Sequence, residues 1–333
     1  MPLTLKDIAK IAGVAESTVS RAINNKPGVG AQTREKIMEI VREHNYQPNQ
    51  LAQGLAKRET HLLALIVADL TGPGYSEIIK SMEKTANQAG YQLIICNTDN
   101  NLAKEKTYLN LVGQHRVDGA IILGGTLANN NIMKLALNQD ELLVLVNCLA
   151  EEVLIPTVLV DNARGGYLAT VHLLEQGLEK IALVMGPAND FLESEKLNGY
   201  QQALADYNIP FREQLIIKTN LSREGGYNAF FRVMKIDELP DGFFVTNDLL
   251  AIGLTEAIKM GGYLIPGDFA VVGYGDSIIS AVINPALTVV AEPLQQLGRL
   301  AAEYIIKLIN DQAIEEVIRV LEPELIIRES SSP

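Results

Sequence analysis

Residues 4–25 read TLKDIAKIAGVAESTVSRAINN, and this stretch decides the fold of the amino-terminal part of the chain. Apolar residues with helical spacing predict one buried helix face, made of Leu5, Ile8, Ala9, Ile11 and Ala12. Thr4, followed three residues later by Asp7, predicts a capping box at the start of this helix. Gly13 predicts where the helix ends.

Two more helices are predicted next. One begins at Glu16, and the other runs from about Gln32 to His44, after the turn-rich loop NNKPGVG at residues 24–30. Two short helices joined around a glycine, with a third packed across them, form a helix-turn-helix unit, which places its second helix in the major groove of DNA. The second helix follows Ala15, whose side chain cannot cap it, at a cost of roughly 1 kcal/mol.

The charge of the chain is unevenly distributed. The formal net charge is −12, but residues 1–60 hold nine Lys and Arg residues against six acids, a net charge of +3. The remaining residues therefore carry −15. A mildly basic head on an acidic body is expected of a polyanion-binding module carried by a domain that DNA would otherwise repel.

Several classes of protein are disfavoured by the composition. No apolar run is long enough to span a membrane, and the charged start MPLTLKDIAK lacks the apolar stretch of a signal peptide, which predicts a cytoplasmic protein. The two cysteines, Cys96 and Cys148, have no second ligand at metal spacing and are predicted to be buried free thiols. No dinucleotide-binding or Walker motif occurs, and the four histidines have no adjoining nucleophile. We therefore predict no enzyme activity, cofactor or metal.

From residue 61 onward, apolar strand-like runs alternate with amphipathic helical runs. The strand-like runs cover residues 62–70, 91–98, 119–125, 142–148, 157–162, 180–186, 243–248, 269–276 and 287–292. This alternation predicts an α/β fold of two doubly wound parallel-sheet subdomains with a cleft between them. Polar residues end many of these runs, and ligands bind beyond the carboxyl ends of such strands, so the cleft is expected to hold a small polar molecule.

Taken together, these stretches resemble the LacI/GalR family of bacterial transcription regulators. The resemblance covers essentially the whole chain and is carried by the head, TREKI at 33–37, NYQPNQLAQGLA at 45–56, VDNARGGYLATVHLLEQG at 160–177, NDLLAIG at 247–253, IPGDFAVVGYGD at 265–276 and NPALTVVAEP at 284–293. It implies a helix-turn-helix headpiece over 1–48, a hinge helix or linker over 49–60, and an effector-binding and dimerisation core over 61–333. The core is expected to resemble the periplasmic sugar-binding proteins, with one subdomain at 61–161 and 293–323 and the other at 162–292 and 324–330.

The resemblance also implies which residues contact DNA. They are Thr4, Glu16, Ser17, Thr18, Arg21, Asn24, Thr33, Tyr46 and Leu55. Glu16, Ser17 and Arg21 match positions that read base edges, and an arginine there can bond guanine O6 and N7 together. Leu55 matches the hinge leucine that the family wedges into the minor groove. Paired heads imply a homodimer that binds a pseudopalindromic operator.

The effector contacts implied by the resemblance include several departures from the family pattern. The contacts are Tyr75, Asp161, Phe191, Lys196, Leu221, Asn247, Asp276 and Glu292. Lys196 stands where an arginine is common, and Leu221 stands where an aromatic residue often lies. Gly275 replaces one of two adjacent acids, and Glu292 takes a position often held by glutamine.

These departures leave three interpretations of Lys196 open. In one, Glu292 replaces the missing carboxylate and pairs with Lys196 across the cleft, so that the ligand is a neutral sugar. In the second, Lys196 binds the phosphate of a sugar phosphate. In the third, Lys196 is an ordinary solvated helix residue.

The function that the resemblance implies is a ligand-gated repressor in the cytoplasm, associated with the nucleoid. The effector would close the cleft and unfold the hinge helices, with a coupling of about 1–3 kcal/mol. Control by a corepressor or by a phosphorylated protein partner uses the same parts and stays open. A solute-binding protein for transport is disfavoured, because the head would then have no use.

Overall fold

The chain divides into two units, residues 1–60 and residues 61–333. The computed structural model describes residues 4–44, 46, 59–72, 74–124, 142–150, 153–188 and 190–332. Nearly all of the predicted hinge at 49–60, with Leu55, lies outside these residues.

Three helices form the first unit: α1 (Leu5–Ala12), α2 (Glu16–Ile23) and α3 (Ala31–Glu43). The predicted capping box is confirmed, because the Thr4 hydroxyl accepts a hydrogen bond from the Asp7 amide at 3.3 Å and the Thr4 amide donates to the Asp7 carboxylate at 2.9 Å. Gly13 ends α1 in the left-handed conformation, with φ of 74°. Ala15 precedes α2 without a side-chain cap, as predicted.

The buried face of α1 is narrower than the sequence pattern predicts. Ile8 is fully buried against Val19 and Ile37, but Ile11 is 48% exposed, so its predicted place on the buried face is wrong. At about 100° per residue, Ile11 lies roughly 110° from the centre of the face that the other four apolar residues of α1 define. An apolar residue at that angle lies at the edge of the contact between α1 and the other two helices.

Two sheets of six described strands each form the second unit. The first sheet has the order β11-β5-β4-β3-β1-β2, and all its pairs are parallel. Its strands are β1 (Leu62–Val67), β2 (Gln92–Asn97), β3 (Gly119–Leu123), β4 (Leu143–Val146), β5 (Thr157–Val160) and β11 (Ile318–Leu321). Helices α4 (Tyr75–Gln88), α5 (Leu102–Gly113) and α11 (Leu294–Ile309) pack on it. The four inner strands, β1, β3, β4 and β5, are buried along almost their whole length, which explains why the sequence there reads as continuous apolar runs.

The second sheet has the order β12-β10-β9-β8-β6-β7. Its strands are β6 (Ile181–Met185), β7 (Ile216–Lys218), β8 (Gly242–Val245), β9 (Ala270–Tyr274), β10 (Thr288–Ala291) and β12 (Glu324–Ile326). The helices of this half are α6 (Asn162–Glu175), α7 (Phe191–Asp206), α8 (Arg223–Val233), α9 (Asp248–Met260) and the short α10 (Ile278–Val282). The predicted doubly wound α/β architecture is confirmed, with one departure: β12 runs antiparallel to β10.

Three crossings between the two sheets explain that departure. The chain leaves the first sheet after β5, returns after β10, and crosses again between β11 and β12. All three crossings lie at the edge of the sheets where the parallel strands end. β12 therefore enters the second sheet from that edge and runs in the direction opposite to β10. Asp161 lies at the first crossing and Glu292 at the second, so both lie beside the space between the sheets.

Candidate nucleic-acid interface and ligand cleft

The outer side of α2 offers an arginine with free donors. Glu16, Ser17 and Arg21 are exposed, and the Arg21 guanidinium makes no hydrogen bond or ion pair with any residue that the structure describes. An arginine in this state can bind guanine through two parallel hydrogen bonds. Thr18 is half-buried, and the exposed Asn24 donates through its side chain to the Ser20 carbonyl at 2.9 Å.

The remaining expected DNA contacts have partners within the headpiece or are half-buried. The Thr4 hydroxyl donates to Asp7 at 2.6 Å, and hydrogen bonds from Thr4 hold the pKa of the Asp7 carboxyl below its usual value. Thr33 is half-buried in α3. Tyr46 packs against the headpiece core, and its burial raises the pKa of its hydroxyl. Leu55 lies outside the described residues.

Arg34 is a positioning residue that the sequence pattern did not reveal. Its guanidinium donates to the carbonyls of Ala22 at 2.8 Å and Lys26 at 2.6 Å, and to the side chain of Asn25 at 3.0 Å. These bonds tie the end of α2 and the following loop to α3. A planar group with several fixed donors suits this task better than a lysine would.

The second unit contains a cavity of about 360 Å³ beside the second crossing. Five of the expected effector contacts line it: Tyr75, Lys196, Leu221, Asn247 and Glu292. Asp276 lines an adjoining cavity of about 230 Å³, which shares Lys196, Asn247 and Glu292 with the first. The two halves contribute walls to the same space, because Tyr75 begins α4 of the first half and Lys196 lies in α7 of the second.

Asp161 and Phe191 do not line either cavity. The Asp161 carboxylate accepts a hydrogen bond from the Arg164 amide at 2.7 Å and so caps α6. Phe191 is the first residue of α7 and is 40% exposed, whereas its neighbours Asp190 and Leu192 do line the larger cavity.

Lys196 is buried, and its donors are already used. Its ammonium donates to a Glu193 carboxylate oxygen at 3.0 Å and to the Thr246 carbonyl at 3.0 Å, and lies 4.2 Å from the centre of the Tyr274 ring. The predicted pair of Lys196 with Glu292 is therefore not the ion pair that forms. Glu193 takes that place because it lies three residues earlier on the same face of α7.

The close packing of α6 against α7 and the hydrogen bonds of Glu193 fix the position of the Lys196–Glu193 pair. A Cβ atom on Gly166 of α6 would lie 2.2 Å from the Lys196 carbonyl oxygen, so the two helices approach closely only because glycine stands there. The other oxygen of Glu193 accepts hydrogen bonds from the Gly186 amide at 2.6 Å and the Thr246 hydroxyl at 2.5 Å. Glu193 is thus a fully bonded wall residue that the sequence analysis did not single out.

Glu292 differs from the other carboxylates of the cavity. It is half-buried, and its carboxylate makes no hydrogen bond or ion pair within the described part of the chain. Burial raises the pKa of the Glu292 carboxyl, and the nearby Lys196 charge opposes this change. A carboxylate in this state is an acceptor that a ligand can use.

Two amides supply donors to the same cavity. Asn147 and Asn247 each use the side-chain oxygen within the protein, accepting from the amides of Val160 at 3.0 Å and Leu249 at 2.9 Å. Neither side-chain nitrogen has a partner among the residues described. Asp276, in contrast, accepts from Arg328 at 2.6 Å and is already paired.

Comparisons with known proteins agree with both halves of this arrangement. Residues 4–49 match the family model described as bacterial regulatory proteins, lacI family, and residues 170–331 match the periplasmic binding protein-like domain. The transcriptional regulator DegA of Bacillus subtilis (strain 168) is 33% identical over 335 residues, which cover 100% of this chain and 99% of DegA. The chain belongs to the LacI family of bacterial regulatory proteins.

Solved structures show the same family fold. The lac repressor dimer bound to operator and the anti-inducer ONPF matches with a TM-score of 0.89 at 26% identity, covering 99% of both chains. The complex of the transcriptional regulator CelR with cellobiose matches with a TM-score of 0.75 at 27% identity, covering 99% of this chain and 100% of CelR. This LacI-family chain is therefore a DNA-binding transcriptional regulator controlled by a small-molecule effector, and not an enzyme.

Neither a metal site nor a membrane span is evident in the parts of the chain that the structure describes. Among these residues no group of three or more His, Cys, Asp or Glu side chains is arranged to hold a metal ion. The helices described are also too short or too polar to cross a membrane.

Proposed function

We propose that this regulator is a cytoplasmic, nucleoid-associated homodimeric repressor that reads a pseudopalindromic operator through α2 and responds to a polyhydroxylated, sugar-like effector in the cavity beside Glu292. The observation that carries the proposal is the cavity itself. It draws one wall from each sheet and offers one unpaired carboxylate together with two amide nitrogens. Carboxylate and amide groups can bond neighbouring hydroxyls of one sugar ring.

The state of Lys196 argues against a sugar phosphate. Its ammonium is buried and already bonded to Glu193 and Thr246, with the face of Tyr274 on its third side. Binding a phosphate there would mean breaking the ion pair and leaving Glu193 buried without its counter-ion, which is strongly unfavourable. The solved complex of CelR with cellobiose gives independent support for a sugar in a chain of this fold.

On the DNA side, we propose that Arg21 and Ser17 read bases, with Leu55 of the hinge at the centre of the operator. The exposure of Arg21 and its lack of partners in the described headpiece support this role. We propose that the phosphate backbone of the DNA is contacted by Thr18, Asn24, Thr33 and Tyr46. Thr4 can join them only by turning its hydroxyl hydrogen, which donates to Asp7, toward a phosphate.

The test is a pair of binding measurements on the full-length protein. An operator is first selected from a random duplex library, and its affinity is then measured by fluorescence anisotropy with and without a panel of sugars. We expect at least one sugar to change operator affinity by about 5–150-fold, the usual range of allosteric coupling. A fall identifies an inducer and a rise identifies a corepressor, whereas sugar binding without any change refutes the proposal.

A deletion provides the matched control. Removing residues 1–60, which form a unit of their own, should abolish operator binding and leave sugar binding unchanged. Operator binding that survives this deletion would contradict the assignment of the headpiece.

A further inference from the structure

The larger cavity carries an excess of negative charge. Four carboxylates line it, Asp69, Asp190, Glu193 and Glu292, against the single ammonium of Lys196, a formal balance of −3. Charges in a partly desolvated cleft interact more strongly than charges at an open surface. An anionic ligand is therefore repelled from this cavity, and a cationic ligand is attracted.

Three of the four carboxylates are satisfied by the protein. Asp69 accepts from the amide and hydroxyl of Thr71 at 2.9 and 2.7 Å, and Asp190 caps α7 through the Leu192 and Glu193 amides at 2.9 and 3.3 Å. Glu193 pairs with Lys196. Glu292 alone among the four is without a partner in the described structure.

A second observation comes from Asn147. It is 7% exposed and lines the same cavity, yet its side-chain nitrogen has no partner among the described residues. An amide nitrogen that faces the cavity without a protein partner is a donor that a ligand can use. The cavity is therefore suited to a ligand that brings oxygen acceptors to Asn147 and Asn247 and a hydrogen-bond donor to Glu292.

A neutral hydroxyl and an ammonium group could both donate to Glu292. A hydroxyl also gains from the charge of the carboxylate, but only the ammonium adds an opposite full charge and so reduces the charge excess of the cavity. Lys196 donates to Glu193 and not to Glu292, and its charge is already counted in the balance of −3.

We propose that the effector is a polyhydroxylated primary amine, an amino sugar whose free ammonium group binds Glu292 while its hydroxyls accept from Asn147 and Asn247. This inference rests on the proposed function, in that it takes the cavity to be the effector site. Acetylation of the amine removes the charge and is expected to remove the preference.

The test uses matched sets of probes on the full-length protein by isothermal titration calorimetry. Glucosamine, galactosamine and mannosamine are each compared with the parent hexose and the N-acetyl derivative, and glucosamine 6-phosphate is included as the anionic probe. In at least one set, we expect the amine to bind about tenfold more tightly than its two neutral counterparts, because only the amine adds an opposite charge beside Glu292. We expect the phosphorylated amine to bind more weakly than the amine alone.

Two variants decide whether Glu292 is responsible. Glu292→Gln keeps the shape but removes the charge, and it should reduce the preference for the amine over its neutral counterparts to about twofold or less. Glu77→Gln removes the same charge from an exposed residue of the adjoining cavity and should keep the preference, because water screens that carboxylate. Thermal unfolding of both variants verifies that each is folded.

The possible outcomes separate this inference from the proposed function. Equal or tighter binding of the neutral sugar or the N-acetyl sugar, a preference that survives in Glu292→Gln, or no binding by any of the amines would overturn the inference. A neutral sugar that binds and changes operator affinity leaves the proposed function standing. An amine that binds through Glu292 without changing operator affinity shows that the cavity prefers an ammonium group, but it refutes the proposed function and, with it, the role of the amine as effector.

Discussion

The buried ion pair of Lys196 with Glu193 allows a stability prediction that also tests the role of Lys196. The Glu193 and Lys196 side chains are 2% and 9% exposed. Replacing Lys196 with Met removes the counter-ion of a carboxylate that water cannot reach, and breaking such a pair from one side costs about 3–5 kcal/mol. Glu193 keeps its bonds from Gly186 and Thr246, so we expect a value near the lower end, about 3 kcal/mol.

The double variant Glu193→Gln with Lys196→Met should recover most of that loss. It removes both charges, and the glutamine oxygen can still accept from the Gly186 amide. Replacing a whole buried pair with neutral groups is often close to neutral for stability. We therefore expect a coupling energy of about 2–3 kcal/mol between the two positions.

The assay is urea unfolding followed by circular dichroism, since the chain has no tryptophan to report by fluorescence. Protein concentration is held constant, because the stability of a dimer depends on it. Lys104→Met is the matched control: Lys104 pairs with Asp99 at the surface, and its loss should leave the midpoint unchanged. A loss below about 1 kcal/mol in Lys196→Met, or a double variant no more stable than Lys196→Met, would refute the reasoning.

Four further predictions concern the headpiece and the cleft. Ala15→Ser supplies the missing cap of α2 and should stabilise the headpiece by about 1 kcal/mol in thermal unfolding; an unchanged or lowered stability would contradict this role of the cap. Arg21→Ala should weaken operator binding by about ten- to a hundredfold in fluorescence anisotropy and leave the melting temperature unchanged; an unaltered affinity would remove Arg21 from the interface. Arg34→Met removes the three bonds that hold the loop after α2 and should lower headpiece stability by about 1–3 kcal/mol, measured by the same melts. Glu292→Gln should stabilise the ligand-free protein at neutral pH. The folded state raises the pKa of Glu292, so keeping it ionised costs stability above that pKa. In melts the gain should shrink as the pH falls below the raised pKa and vanish below the usual pKa of a glutamate, and a gain that persists in acid would contradict this cause.

Much of the fold could be predicted from local patterns. The three-residue spacing of Thr4 and Asp7 and the position of Gly13 fix the limits of α1, because capping and helix termination depend on neighbouring residues only. The nine apolar runs of the core correspond to strands for a similar reason, since strands covered on both faces read as continuous apolar segments.

The elements that the sequence did not predict are short or lie at sheet edges. Strands β7 and β12 have three residues each, and β11 has four, three of which are exposed. Segments of this length contain at most two repeats of the two-residue alternation of a strand, too few to identify a strand from the sequence. Their pairing depends on where the chain crosses between the sheets, which is a property of the topology.

In the cleft, too, some features follow from the sequence alone and others follow only from the tertiary structure. The sequence alone determined that polar side chains follow the apolar strands, because that placement depends on the order of residues along the chain. It did not determine their partners: Lys196 bonds to Glu193, Asp276 bonds to Arg328 from the carboxyl-terminal segment, and Asp161 caps α6. Only the tertiary structure decided that Glu292 keeps an unpaired carboxylate, since this requires every competing donor to be held elsewhere by the packing of helices and crossings.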